Sequence, residues 1–152
     1  MARNRPLQVE LQALSLAAAE NDCRNRYSGR SLTEEVFRDH LRRRAAEGDL
    51  AKRFPEPVVA LGEFWLRQIG PRQDPCQLDA VALLGHGRKV GLVGEAKWTR
   101  RESAGRELAT MQRKVASANL TTADRVMYVV GAREQVTDSE KVVAVTAADI
   151  FG

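Results

Sequence analysis

Asp79, Glu95 and Lys97 are the residues of this chain whose types and spacing could do chemistry. Asp79 sits in Leu78-Asp79-Ala80-Val81-Ala82-Leu83-Leu84, and the other two in VGLVGEAKW, residues 90–98. Together they read D…ExK. Two neighbouring carboxylates can share one hard divalent cation, because Mg²⁺ takes oxygen ligands and is often held by one or two carboxylates. A cation held in this way polarises a phosphate and lowers the pKa of a bound water. An ammonium beside it offsets developing charge. Such a trio suits metal-assisted hydrolysis of a phosphodiester. A salt-bridged cluster at a strand edge explains the same three residues without any chemistry.

The elements around the trio decide whether it can meet. Both runs are rich in Val, Leu and Ala and bounded by glycine, which predicts strand, turn, strand. Side chains alternate along a strand, so Glu95 and Lys97 share a face and Ala96 takes the other. With His86-Gly87-Arg88 as the tip and Gly85 paired to Lys89, Leu84 falls opposite Val90 and Asp79 opposite Glu95. Opposed residues have Cβ atoms about 4.5–5.5 Å apart. A slip of one residue would turn Asp79 to the far face.

The remaining pattern predicts a sheet with helices packed on it. Leu7, Leu11, Leu14 and Ala18 recur at helical spacing after Pro6. Residues 1–28 are therefore expected to be a first helix and linker, and residues 29–152 the main domain. A second helix is expected from Ser31 or Thr33, with Leu32, Val36, Phe37 and Leu41 as its buried stripe. Ser31 and Glu34 fit a capping box, and Gly48 ends the helix. Val58 to Leu61 begins a first strand, running towards Phe64 and Trp65, and residues 70–75 form a loop. Residues 100–103 read as a polar turn. Ala104, Leu108, Met111, Val115 and Leu120 mark a third helix. Residues 125–130 and 142–145 read as strands, and Thr146 caps a last short turn. The order predicts an α/β fold, a mixed β-sheet flanked by helices.

Composition bounds the class. The 152 residues suit one compact domain. No apolar run reaches membrane-spanning length, and the N-terminal residues lack the apolar core of a secretory signal. Cys23 and Cys76 have no CxxC or histidine partners, which points to free thiols in a reducing, cytoplasmic setting. Net charge is +4, mildly favouring an anionic partner such as nucleic acid, although on charge alone a solvated arginine-rich surface is the preferred explanation. There is no GxxxxGK[ST] phosphate loop.

The helix LTEEV, the strand LDAVAL and the strand ending GEAKW together resemble the PD-(D/E)XK nuclease superfamily from about residue 31 to the C-terminus. Within it, RYSGRSLTEEVFRDHL, ALGEFW, QLDAVALL and VGLVGEAKW are most similar to the C-terminal nuclease-like domain of a group of archaeal and bacterial AAA-type ATPases. A more distant similarity is to archaeal Holliday-junction resolvases and Mrr-like restriction nucleases. Leu78 stands where proline or glycine often precedes the catalytic aspartate. The resemblance implies a restriction-endonuclease-like core and Mg²⁺ or Mn²⁺ held by Asp79, Glu95 and the Ala96 carbonyl. It implies Lys97 beside the nucleophilic water and Glu34 as an outer ligand from the helix. Glu34 fits the helix stripe better than Glu35, and serves equally as a helix N-terminal carboxylate.

The expected substrate is DNA, with an AAA-type ATPase as a further partner and a homodimer where paired cuts are made. A silent module of the same fold, binding nucleic acid or an ATPase, is the competing class. Arg100, Arg101, Arg106, Arg113 and Lys114 could contact phosphates, or form a solvated face. Gln112 is expected to face solvent, Trp65 and Trp98 to pack at strand ends, and His40 and His86 to lie on the surface.

Overall fold

The computed structural model describes residues 29–66 and 76–152, with side chains from residue 34 onward. In chain order these residues form α1 (Gly29–Ala46), a 3-10 turn (Ala51–Arg53), β1 (Val58–Leu66), β2 (Cys76–Leu84), β3 (Lys89–Ala96) and β4 (Arg101–Ser103). Then follow α2 (Ala104–Ser117), β5 (Thr122–Ala132), β6 (Gln135–Thr137), a 3-10 turn (Ser139–Lys141), β7 (Val143–Thr146) and α3 (Ala147–Phe151). The helix expected over Leu7 to Ala18, its linker and the loop at 70–75 lie outside the described residues. Among the described residues no helix is long and apolar enough to cross a membrane.

The fold is α/β. Its main sheet has five strands in the order β1-β2-β3-β5-β7. The β1-β2 and β2-β3 pairs are antiparallel, whereas β3-β5 and β5-β7 are parallel, so the sheet is mixed. A parallel pair needs a crossover, and α2 supplies it between β3 and β5. Apolar residues on both faces of β2 and β3 follow from helices covering both sides. On one side Met111, Val115 and Ala104 of α2 pack with Leu78, Val81, Val93 and Val130. On the other, Phe37 and Leu41 of α1 pack with Leu50, Ala80, Leu92 and Val129. The Phe37 ring lies so close to Gly94 and Gly131 that an added Cβ would stand 3.2 and 3.0 Å from it.

Several local expectations are corrected. Ser31 lies inside α1, because the helix already runs at Gly29, so it is not the cap. Residues 101–103 are a strand rather than a turn, paired in parallel with β6 to make a separate two-stranded sheet. Three residues are too few to show a period of two. Thr146 does cap α3: the Asp149 carboxylate accepts its N–H at 2.8 Å and its hydroxyl at 3.1 Å.

The hairpin tip also differs. Leu84 pairs with Lys89, not Val90, leaving Gly85 to Arg88 as the loop. Gly85 and Arg88 both have positive φ, 59° and 49°. This alone would put Asp79 out of step with Glu95. A bulge at Gly91 takes up the extra residue, since Leu83 faces Val90 but Ala82 faces Leu92. A Cβ at Gly91 would run into the Leu84 side chain, so the bulge needs glycine. Beyond it Ala80 pairs with Gly94, and one further step along that register sets Asp79 against Glu95.

Phe37 is fully buried against two strands. Phe37→Ala is expected to lower unfolding free energy by about 3–5 kcal/mol, read from urea denaturation.

Candidate functional site

Asp79 and Glu95 sit at the end of the β2-β3 ladder and are 6% and 4% exposed. Asp79 stands at a second irregularity. Gly62 faces Val81 while Phe64 faces Leu78, so β2 carries one more residue than β1 between these pairs. Leu78 and Val81, three apart, consequently contribute to the same core cluster. A bulge of this kind re-aims side chains and removes backbone groups from the ladder. The Asp79 carbonyl accepts a hydrogen bond from Arg38 Nη1 at 2.8 Å instead. Arg38, itself buried, donates through Nη2 to Glu35 Oε1 at 2.5 Å. Helix α1 is thereby tied to the residue that carries the first carboxylate.

The carboxylates share their surroundings. Asp79 Oδ2 accepts the Ala96 N–H at 2.8 Å. Glu95 Oε1 accepts from Lys114 Nζ at 2.6 Å, and the same ammonium donates to the Gln77 carbonyl at 2.8 Å. Burial pushes the Glu95 carboxyl up to about 7; the charge of Asp79 and a side-chain hydrogen bond between the two carboxyl groups push the same way, and Lys114 only partly offsets them. The pair is thus short of positive charge.

The structure brings together Asp79, Glu95, the Ala96 backbone and Lys114. Lys97 lies one residue beyond β3, is exposed, and forms no ion pair among the described residues. Its charge is felt at Glu102. Glu34 is half-buried on α1, one turn before Arg38; the carboxylate seen holding Arg38 is that of Glu35. Among the described residues no group of three or more His, Cys, Asp or Glu side chains is placed to hold a metal.

The basic residues divide. Arg101 and Arg113 are exposed, and Arg100 is exposed but pairs with Glu134 at 3.1 Å. Lys114 is not part of a solvated face; it belongs to the carboxylate site. Gln112 faces solvent as expected. Trp65 is 55% exposed on edge strand β1 rather than packed away, and Trp98 is half-buried with its indole nitrogen lacking a partner among the described residues. His86 is exposed, but His40 is half-buried, and burial lowers its pKa.

Two features escaped the sequence reading. Lys114 lies three residues after buried Met111 and seven after buried Glu107, the spacing of one helix face, so its inward position was available as a signal. Arg38 lies one residue after Phe37 and had no such signal, because its acceptor is a carbonyl freed by a bulge. Glu102 is a further buried carboxylate, held below the usual carboxylate range by the Thr99 hydroxyl first and then by Arg106.

Comparison with protein-family models, with curated proteins and with solved structures gives no match to this chain. The candidate site stands on its own geometry.

Arg38→Met leaves the Asp79 carbonyl without its donor and should lower stability by about 1–3 kcal/mol, with Arg38→Lys recovering part of the loss in the same urea titration. A second expectation concerns pH. The Glu95 carboxyl titrates near 7 in the fold but near its ordinary 4.5 in the unfolded chain. The fold then binds more protons across that window, so metal-free stability falls as pH rises through it, by on the order of 1–3 kcal/mol. Glu95→Gln should flatten that slope in thermal or urea unfolding at a series of pH values.

Proposed function

We propose that this chain is a metal-dependent phosphodiesterase acting on nucleic acid, DNA foremost, built on a restriction-endonuclease-like core. The observation that carries this reading is the buried Asp79–Glu95 pair at the sheet's end, two carboxylates side by side and under-compensated in charge. An all-oxygen donor pair suits Mg²⁺ or Mn²⁺. Asp79 and Glu95 would hold the ion, with the Ala96 carbonyl as a third oxygen. Bound there, the ion would supply Lewis acidity towards a phosphate and an acidified water.

The other roles fall to the chain's own groups. The Ala96 N–H fixes the orientation of Asp79, and Arg38 fixes its backbone. Lys97, exposed just past Glu95, is free to meet a phosphate and offset developing charge. Arg101 and Arg113 are exposed cations suited to phosphate positioning, which carries no sequence information. Glu34 serves as an outer carboxylate from α1.

One observation favours a second reading. Lys114 already neutralises Glu95, so the cluster is partly self-contained as a salt bridge. A silent nucleic-acid-binding or ATPase-binding module of the same fold would need no more than that.

The deciding experiment incubates a supercoiled plasmid and a branched oligonucleotide with Mg²⁺ or Mn²⁺ and compares wild type, Asp79→Asn and Lys97→Ala. Metal-dependent cutting, reduced at least about hundredfold in both variants, is expected. Retained DNA binding with no cutting by wild type under any metal would support the module instead.

A further inference from the structure

The ammonium at the carboxylate pair comes from a residue outside the D…ExK pattern. Lys114 projects from α2 and sets Nζ 2.6 Å from Glu95 Oε1. Among the described residues this is the one ion pair that either Asp79 or Glu95 makes. The same Nζ has a second acceptor in the Gln77 carbonyl at 2.8 Å, and the Lys114 side chain keeps 29% of its exposure. Its stem is four flexible carbons, and its head is a compact point charge. It therefore has somewhere to stay if it lets go of Glu95.

We propose that Lys114 is a tethered counter-ion, standing at Glu95 Oε1 in the metal-free protein and displaced from that oxygen when a divalent cation binds the pair. The proposal rests on the reading of Asp79 and Glu95 as a metal pair. A dication and an ammonium cannot share one carboxylate oxygen at contact distance without strong repulsion. Leaving both carboxylates buried with no cation at all would be costlier than either arrangement. The lysine thus keeps the site formed before metal arrives, and weakens metal binding by the work of moving it. Lys97, which makes no such contact, remains outside this exchange.

The test is calorimetric titration of Mn²⁺ into wild type, Lys114→Met and Glu95→Gln at one fixed pH of about 8. Lys114→Met keeps the apolar stem and removes the charge. It should bind Mn²⁺ at least about tenfold more tightly than wild type, and Glu95→Gln should lose binding. Equal or weaker binding by Lys114→Met, with wild type binding normally, would overturn the counter-ion while leaving the metal pair intact. No Mn²⁺ binding by either protein would remove the metal pair and the counter-ion together.

A second readout uses the unaltered chain and is independent of whether the variant folds. Lys114 acylation by acetic anhydride, mapped by peptide mass, should rise when Mn²⁺ is added. Unchanged labelling at saturating Mn²⁺ would count against displacement.

Discussion

Asp79 and Glu95 are held side by side, almost out of water, and the rest of the structure is arranged around the cost of that. Two adjacent carboxylates repel, and burial strips away the solvent that would screen them. Two devices hold the cost down: the Ala96 N–H on Asp79 and the Lys114 ammonium on Glu95. The first comes from the strand itself, the second from the helix that crosses back over it. Such a cluster is poor design for a merely stable sheet, where apolar residues would serve better.

The two carboxylates meet because two irregularities in the sheet cooperate. The Gly91 bulge takes back the residue that the hairpin loop adds, and the irregularity at Asp79 frees a carbonyl that Arg38 then holds. The first depends on close packing of Leu84 against Gly91, and Phe37 of α1 packs as closely against Gly94 and Gly131. The helix that packs Phe37 on the sheet also presents Arg38 to the carbonyl of the residue bearing the first carboxylate. Bulges commonly sit beside active sites for this reason, since an interrupted ladder can aim one side chain where regular pleating would not.

Much of the architecture was legible from residue patterns. Apolar runs with branched side chains between glycines marked β2 and β3, and helical spacing marked α2 from Ala104, although it ran on to Leu120 whereas the helix ends at Ser117 and Asn119 takes a positive φ. The missed elements share a cause. The strands β4 and β6 have three residues each, too short to carry a period, and they exist only because each supplies the other's hydrogen bonds. The half-burial of His40 and the exposure of Trp65 were equally invisible, since one depends on what packs over a helix and the other on lying at a sheet edge.

Residue order alone determined that Asp79 and Glu95 lie on adjacent antiparallel strands with Lys97 two residues on, because alternation and a short loop leave few other arrangements. It also made a mixed sheet the expectation, since a hairpin pairs β2 and β3 antiparallel and the helix after β3 is long enough to serve as a parallel crossover. Only the tertiary structure decided which cation meets the pair. Lys97 is close in sequence yet beyond the strand end, whereas Lys114 is distant in sequence and brought over the sheet by the crossover helix. Side-chain partners at a buried site are set by packing between elements. Spacing along the chain reports only which residues share an element and a face.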